Sequence, residues 1–498
     1  MKSQDDLHDL VMSLTPAEKR YFKLSVSKGD GKTNPLKLFE ALDGLDEYDD
    51  VRVRRRLKGE KMVKYLSAEK NILFDAIMRT MRSYHSERTV DTRIFELMQE
   101  EVFLRGKGLN DLCIKTLEKA EALARKYEKF PYLLEILLAQ KDLITEFEEK
   151  ALAESISEKL EQIREVTALQ DIHARLNVIN AEVFTMVRSG ADMKSESNRN
   201  HLEGLADEVR SYEHKLSNSF RLRVRYHSTL SHYYNCLADR KSCFEQTAAQ
   251  LAVYEANPEM ALEEGQGFKT TLANYLTRAH AWRDYSRFEE LLKTLKNLPT
   301  DTFYAEGEVF QNVYFIEHLY YINSGRFEEA EQLVPIIQEG LVTYARKINK
   351  SRVLSFKYNI LVMYFLMHKF KEAKFWSESI MAENTDIRQD MQTSNRILYP
   401  IVCYELGKFD IMENITRSSY RYLLAQQRLH DFERLVIRYL QAMPFTANTK
   451  EFEEKLSAFE IDMETLRNTK GFRMITGMEE VGLWVRSKRE GKLMREMS

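Results

Sequence analysis

The residues whose type and spacing best suggest a function are the lysines and arginines of a basic stretch near the start of the chain. Positions 52–88 hold eleven Lys or Arg residues and four Asp or Glu residues, so the stretch carries +7 in a chain of net charge −3. Clustered cations on a helical module are what contacts to phosphate groups require. The residues considered as anion or nucleic-acid contacts are Arg52, Arg54, Arg55, Arg56, Lys58, Lys61 and Lys64.

An internal role for these cations is the favoured alternative. An acidic run, from Asp43 to Asp50, directly precedes the stretch, and its carboxylates are available to neutralise it. No turn between two short helices identifies a helix that would enter a DNA groove. The interpretations that remain are internal pairing, nucleic acid and an acidic protein partner.

A second segment combines arginine with tyrosine, a pairing typical of residues that anchor protein interfaces. Each step of two residues turns a helix by about 200°, so Arg221, Arg223 and Arg225 do not all share one face. This pattern favours tyrosines in the core and arginines in solvent. The segment comprises Arg221, Arg223, Arg225, Tyr226, Tyr233 and Tyr234.

A third set of polar and aromatic residues recurs on helices that the pattern makes equivalent. Repeated side chains on stacked helices form a ladder along an inner groove, which suits an extended peptide. The alternative is that these side chains pack between paired helices. The predicted partner-binding residues are Asn274, Tyr275, Tyr314, His318 and Asn359.

Signatures of catalysis and of metal binding are missing from the sequence. It contains no H-E-x-x-H, no G-x-x-x-x-G-K-[ST] and no G-x-S-x-G. The closest histidine pair, His227 and His232, is five residues apart, which separates the rings by about 140° on a helix. We therefore predict that the protein is not an enzyme and has no catalytic, cofactor or metal site.

The elements that position these residues are predicted to be helices throughout. Only 18 Gly and 8 Pro occur in 498 residues, and good helix formers recur along the whole chain. A turn followed by phenylalanine returns at intervals of 44, 39, 43 and 39 residues, which predicts stacked helix pairs. These residues are Phe244, Phe288, Phe327, Phe370 and Phe409.

Positions around each phenylalanine fit the contacts of a helix hairpin. A large residue tends to lie six positions earlier and a small or apolar one three positions later, which lets the two helices approach closely. The large residues are Phe103, Trp282, Tyr321 and Tyr364, and the later ones are Leu112, Leu291, Ala330, Ala373 and Met412.

The chain resembles the tetratricopeptide repeat (TPR) family. Tyr321, Gly325, Phe327 and Ala330 match its pattern in full, and Tyr364, Phe370 and Ala373 match without the glycine. The unit of about 39–44 residues exceeds the family's 34. The resemblance implies an all-α fold, a right-handed α-solenoid of TPR-like helix pairs, which binds a protein or peptide.

Three regions are expected along the chain. Residues 1–90 form an N-terminal helical module with the basic stretch, residues 91–445 a TPR-like helix-pair array, and residues 446–498 C-terminal capping helices. The chain is also similar to uncharacterised bacterial helical-repeat proteins, through residues 17–23 and 58–61. That likeness implies a bacterial protein.

These observations predict a non-enzymatic scaffold or adaptor that binds a protein or peptide through its groove. The rival prediction is a bacterial regulator with a nucleic-acid-binding N-terminal module and a TPR-like sensor or dimerisation arm. The start lacks an apolar signal segment, no apolar run reaches the length of a membrane span, and the four cysteines form no C-x-x-C. We therefore expect a cytoplasmic protein without a membrane partner.

Overall fold

The computed structural model describes most of the chain, and within that part the backbone is 85% helical and forms no strand. The prediction of an all-α protein is thereby confirmed. The described residues are 6–27, 33–45, 47–85, 89–147, 152–189, 195–216, 219–299, 303–345, 347–383, 387–443, 449–468 and 476–497.

The chain divides into two compact units, Met1–Lys293 (unit 1) and Thr294–Ser498 (unit 2). The regions predicted from the sequence, with boundaries near residues 90 and 445, remain predictions. The helices that lie within unit 1 are α1 (Asp6–Ser13), α2 (Pro16–Val26), α3 (Asn34–Asp43), α4 (Asp50–Arg56), α5 (Leu66–His85), α6 (Val90–Arg105), α7 (Asn110–Lys126), α8 (Phe130–Phe147), α9 (Leu152–Ser189), α10 (Glu196–Ser211), α11 (Phe220–Cys236), α12 (Arg240–Glu255), α13 (Pro258–Glu263) and α14 (Gly265–Trp282).

Helix α15 (Phe288–Asn297) begins in unit 1 and ends just past the boundary. Unit 2 then contains α16 (Phe303–Asn323), α17 (Phe327–Thr343), α18 (Lys350–Leu366), α19 (Phe370–Met381), α20 (Gln389–Glu405), α21 (Met412–Ala425), α22 (Asp431–Ala442), α23 (Thr449–Arg467) and α24 (Met478–Glu490).

Helices α1 to α5 share a hydrophobic core of their own. The rings of Phe22 and Phe39 lie at its centre, 4.7 Å apart and fully buried. The sequence Thr15-Pro16-Ala17-Glu18 predicts a capping box at the start of α2, and the structure has it: Thr15 accepts a hydrogen bond from the Glu18 backbone, and Glu18 accepts one from the Thr15 backbone. Local capping signals therefore set the start of this helix.

The residue pattern of the segment that forms α9 predicts two shorter helices, at residues 152–166 and 172–187. The structure has one continuous helix of 38 residues. No Gly or Pro interrupts this segment, so each peptide group can continue the hydrogen-bonded ladder. The long helix packs against both α8 and α11.

The recurrent phenylalanines do not all occupy the same environment. Phe288 and Phe327 begin α15 and α17 and are fully buried, and Phe370 begins α19 with its ring partly buried. Phe244 lies inside α12 rather than at its start, and Phe409 lies in a short 3-10 turn before α21. Phe409 is 49% exposed, and its ring lies 5.2 Å from that of Tyr404 at the end of α20, so its helix pair covers only about half of the side chain.

The predicted hairpin contacts are present in some pairs and missing from others. Tyr364, Ala330 and Ala373 are buried as expected. In the pair α6–α7, by contrast, Phe103 is 64% exposed and Leu112 is also exposed. Their predicted contact is wrong because Phe103 points away from the pair, and the Lys107 ammonium lies over its ring.

Unit 2 contains one continuous hydrophobic core, which extends from Phe310 to Met494. Helix α18 lies inside it, and every residue from Tyr358 to Leu366 is buried. A helix that is apolar on all sides requires neighbours on all sides. Helices α16, α17, α19 and α20 supply them.

The last helix closes this core. Trp484 of α24 is buried, and its Nε1 donates to Glu405 Oε1 at 2.7 Å. Lys488 Nζ reaches the other oxygen of the same carboxylate at 2.7 Å. Beyond α24, the backbone N–H of Met494 donates to His368 Nε2 at 3.1 Å. The C-terminal segment thus contacts the ends of α18 and α20 directly.

In the part of the chain that the structure describes, none of the helices has the length and apolarity needed to cross a membrane. All four cysteines are free, and Cys113, Cys243 and Cys403 are buried.

Candidate functional site

Helix α11 presents a row of polar side chains on one face. The intervals between them are four, three, four and three residues, so they share a single stripe of the helix. All five side chains are partly buried rather than extended into solvent. We call this row the polar stripe; it consists of Arg221, Arg225, Ser228, His232 and Asn235.

The start of α11 is fixed by a carboxylate from another helix pair. Glu128, in the turn after α7, accepts hydrogen bonds from Ser219 Oγ and the backbone N–H of Phe220, both at 2.8 Å, and of Arg221 at 2.9 Å. A negative charge at a helix N-terminus is stabilised by the helix dipole. This contact sets the position of the polar stripe relative to α7.

Helix α9 contributes an amide to the polar stripe. Asn180 Nδ2 donates to Ser228 Oγ and Thr229 Oγ1, both at 3.2 Å, and its Oδ1 accepts from Arg225 Nη1 at 3.2 Å. The ring of Phe184, one turn further along α9, lies 5.2 Å from that of His232. These contacts hold Arg225, Ser228 and His232 of the polar stripe against α9.

Segments around α14 contact the two ends of the polar stripe. At its start, Arg221 Nη2 lies 2.5 Å from Glu264 Oε1, just before α14. At its end, Arg278 Nη1 of α14 donates to Asn235 Oδ1 at 2.8 Å. Arg278 therefore adds a third guanidinium to those of Arg221 and Arg225.

Arg225 lies in the middle of this arrangement without an acidic partner. It forms no ion pair with any carboxylate in the described ranges, and its buried Nε has no hydrogen-bond acceptor. Burial lowers the pKa of the Arg225 guanidinium, and the neighbouring Arg221 acts in the same direction, whereas Tyr254 and Glu264 oppose the shift. The guanidinium remains charged at neutral pH, because arginine keeps its proton inside proteins.

Two histidines beside these arginines are neutral. Burial lowers the pKa of His232 to about 4, and the charges of Arg278 and Arg225 add to the effect. Burial likewise lowers the pKa of His173, on α9, to about 4, with Arg221 and Arg225 as further causes. The positive charge of the site is therefore carried by arginine alone near pH 7.

The chemistry of this arrangement is anion binding. Guanidinium groups are permanent cations with several donors, which suits carboxylates. Within the described residues, no group of three or more His, Cys, Asp or Glu side chains is placed to hold a metal ion.

The partner-binding residues predicted from the sequence lie in contrasting environments. In unit 1, Asn274 is exposed, whereas Tyr275 is buried with its ring 5.3 Å from that of Phe244. The adjacent positions point to different sides of α14, so the structure does not bring these two side chains together. Tyr275 has the packing role that was the alternative interpretation.

The other three predicted residues belong to unit 2. Tyr314 is partly buried and lines a cavity. His318 is fully buried, neither ring nitrogen has a hydrogen-bond partner, and burial lowers its pKa to about 4. Asn359 is buried on α18, and its Nδ2 has no partner either.

Part of the basic stretch pairs internally. Arg54 Nε lies 2.6 Å from Asp50 Oδ2, and Arg52 Nε lies 3.2 Å from Asp49 Oδ2. Arg56 donates to the backbone carbonyls of Ala41 and Gly44, at 3.1 and 2.7 Å. Arg56 holds α4 against the end of α3, whereas Arg52 and Arg54 pair with acidic residues at the start of α4 itself.

The other four of the seven candidate cations are exposed. They form no ion pair with a carboxylate in the described ranges, and Tyr65 beside them is 70% exposed. These residues are Arg55, Lys58, Lys61 and Lys64. The seven predicted contact residues thus separate into a paired group and an unpaired group.

The polar stripe was missed by the sequence analysis, which compared only neighbouring arginines. Arg221 and Arg225 are four residues apart, the spacing that places two side chains on one helix face. Arg223, between them, points elsewhere and bonds only the carbonyl of Ser219. This four-residue spacing was the sequence signal that could have revealed the polar stripe. No pattern in the sequence indicated that Asn180 and Arg278 would contact it.

Searches for similar proteins gave no match: no family model, no curated protein and no solved structure is similar to this chain.

Proposed function

We propose that the chain is a non-enzymatic scaffold or adaptor that binds an acidic, extended segment of a partner protein along the polar stripe of α11. The observation that carries the proposal is the guanidinium of Arg225, which is partly buried, forms no ion pair with a carboxylate in the described ranges and has an Nε without a hydrogen-bond acceptor. Withdrawing a charge from water costs several kcal/mol unless a counter-charge is near. A carboxylate from a partner would offset that cost.

The spacing of the cations fits a peptide in extended conformation. Arg221 and Arg225 are four residues apart, which is about 6 Å along a helix axis. Two residues of an extended chain span about 7 Å, and side chains two positions apart point to the same side. Acidic residues at alternate positions would therefore face both arginines, of which Arg221 already pairs with Glu264 and Arg225 has no such partner in the described ranges.

The length of the polar stripe defines the length of the segment. From Arg221 to Asn235 the helix rises about 21 Å. An extended peptide covers that distance with about six residues. Ser228, His232 and Asn235 offer hydrogen bonds beyond the two arginines, and the neutral His232 adds no charge to the site.

Peptide binding of this kind is typical of proteins built from stacked helix pairs. We propose that the helix pairs of each unit stack in the right-handed sense of TPR-like repeats, and that the protein acts in the bacterial cytoplasm. Support comes from the buried turn residues Phe288 and Phe327 and from the small, buried Ala330 and Ala373 at the helix contacts.

The test uses a fluorescein-labelled hexapeptide with Glu at alternate positions, and its counterpart with Gln in their place. Fluorescence anisotropy should show binding of the Glu peptide only. Arg225→Gln should raise Kd about 10-fold or more, because a hydrogen bond to a charged group contributes about 1.5–3 kcal/mol.

Arg223→Gln is the matched control, since it removes the same charge from the same helix on another face. Its Kd should stay within about 2-fold of the unaltered chain. Equal losses for both variants, or equal binding of the Glu and Gln peptides, would refute recognition by the polar stripe.

A regulator that binds nucleic acid is the second candidate, favoured by the exposed and unpaired Arg55, Lys58, Lys61 and Lys64. Mixed DNA or RNA should then shift in a gel at low salt and lose the shift at high salt. Lys58→Ala with Lys61→Ala should weaken the shift, whereas Lys115→Ala with Lys119→Ala on α7 should not. Failure of the chain to bind heparin at low salt would dismiss this candidate.

A further inference from the structure

A cavity of about 310 Å³ lies in unit 2 beside α16 and α17. Its volume is at the lower end of the range for ligand sites, which suits a group of side-chain size. Aromatic rings form one part of its lining and charged side chains another. The lining residues that matter are Phe310, Tyr314, Tyr344, Glu306, Glu339 and Lys296.

The aromatic part of the lining is held in place by close packing. The ring centroid of Phe310 lies 5.3 Å from that of Tyr314 and 5.4 Å from that of Tyr344. The Phe310 ring also fills the space over Gly340, where an added Cβ would lie only 2.0 Å from a ring carbon. Three rings thus meet at one preformed surface.

The charged part of the lining has an excess of negative charge. Burial raises the pKa of Tyr344, and the carboxylates of Glu306 and Glu339 raise it further, so both act on this one phenol. The only cation among the lining residues of this cavity is Lys296, and its Nζ lies 2.6 Å from Glu317 Oε1, outside the lining. The Lys296 charge is thereby balanced, whereas Glu306 accepts a hydrogen bond from Tyr344 and neither Glu306 nor Glu339 forms an ion pair with a cation in the described ranges.

The same lining already contacts one cation of the chain. Lys296 Nζ lies 5.4 Å from the centroid of Tyr314. A cation within about 6 Å of an aromatic face is attracted by the negative charge of that face. Ring faces, and carboxylates without a cationic partner in the described ranges, are the two features of this concave site that attract organic cations.

We propose that this cavity binds an alkylammonium or guanidinium group, such as the side chain of a lysine or arginine. The group enters beside Tyr314, contacts the ring faces, and is neutralised by Glu306 and Glu339. This site is separate from the polar stripe: it lies in the other unit and has the opposite charge preference. Its success or failure is therefore independent of the function proposed above.

The test is isothermal titration calorimetry of the full chain with tetramethylammonium, N-acetyl-lysine methylamide and N-acetyl-norleucine methylamide. The two cations should bind and the neutral norleucine derivative should not. Glu339→Gln, at an exposed position that leaves the fold intact, should weaken binding about 3- to 10-fold. Tyr314→Leu should weaken it by a similar factor, because a cation–aromatic contact contributes about 0.5–2 kcal/mol.

Glu454→Gln is the control, since Glu454 is an exposed helical carboxylate without a partner in the described ranges. It should leave the affinity unchanged. A lysine-containing hexapeptide distinguishes the two sources of the cation: tighter binding than the lysine derivative indicates a protein segment, and equal binding indicates a small molecule. Equal heats for the lysine and norleucine derivatives, or no binding of either cation, would overturn the proposal.

Discussion

The two units differ in how their buried hydrophobic side chains are grouped. In unit 1 the buried hydrophobic side chains fall into separate clusters, one among α1–α5, one around α7 and α8, and one between α9 and α11. In unit 2 one cluster joins all the helices from α16 to α24. Separate clusters allow separate unfolding steps, whereas a shared core couples its helices. We expect unit 2 to unfold as a single cooperative body.

Arginine is also accommodated differently in the two units. In unit 1, Arg225 and Arg278 bond side-chain amides along the polar stripe. In unit 2, Arg352 lies 4.1 Å from the ring centroid of Phe315 and Arg396 lies 4.3 Å from that of Tyr422. A stacked guanidinium covers apolar surface, whereas one held by amides at its edge still offers donors to a ligand. The arginines of the polar stripe therefore keep donors for the proposed ligand, whereas Arg352 and Arg396 are used in packing.

The largest effect is expected for Phe327→Ala in the shared core. Loss of a fully buried phenylalanine should lower the unfolding free energy of unit 2 by about 3–5 kcal/mol. Urea unfolding followed by tryptophan emission measures it, because Trp376 and Trp484 are both buried in this core. The matched control is Phe409→Ala, at the equivalent repeat position but 49% exposed, which should cost less than about 1 kcal/mol. Similar losses for the two variants would contradict the assignment of the core.

The second effect concerns pH and His318. Its pKa is about 4 when folded, against an ordinary value of 6.5, so the unfolded chain binds the proton more tightly. The stability that neutral His318 contributes is fully present above pH 6.5. It is lost as the pH falls toward 4, and the total loss is on the order of 3 kcal/mol. His318→Met should remove this loss without lowering stability at pH 7, since both ring nitrogens lack partners. Urea unfolding at pH 7 and pH 5 tests it, and identical pH dependence in both proteins would contradict it.

The third effect is local to unit 1. Glu128→Gln weakens the cap at the start of α11 and should cost about 1–2 kcal/mol. Amide exchange at residues 220–222 should accelerate, while the core of α1–α5 should keep its protection. Glu118→Gln on α7, an exposed glutamate without a partner in the described ranges, is the control. Equal acceleration throughout unit 1 would show that its clusters are coupled after all.

The smallest effect is expected for Arg396→Met. Methionine retains the length of the side chain and its contact with Tyr422 but removes the charge, so stability should change by less than about 1 kcal/mol. Thermal unfolding of the two proteins measures the difference. A loss of several kcal/mol would mean that the charge of Arg396, rather than its packing, is what unit 2 requires.

Much of the fold could be predicted from local features of the sequence. The scarcity of Gly and Pro indicated helices throughout, and the capping box at Thr15 and Glu18 located the start of α2. The exposure of Phe103 and of Phe409 could not be predicted in this way. Whether an aromatic side chain at a turn is covered depends on the helices placed beside it, and the repeat pattern describes only one pair at a time.

The candidate site was less predictable than the fold. The spacing of Arg221 and Arg225 was visible in the sequence, but nothing there indicated that Arg225 would lack a carboxylate. That depends on Asn180, which lies 45 residues earlier in the chain. The periodicity of a helix shows which residues share a face. It does not show which element packs opposite that face.

The closure of unit 2 by α24 has a consequence for synthesis on the ribosome. A chain emerges from its N-terminal end, so the clusters of unit 1 can form while translation continues. The core of unit 2 must wait for Trp484 and Met494, because both are buried in it. Until then Glu405 and His368, at the ends of α20 and α18, lack the contacts of the C-terminal segment, so a nascent or prematurely terminated chain would present this end of the core to chaperones and proteases.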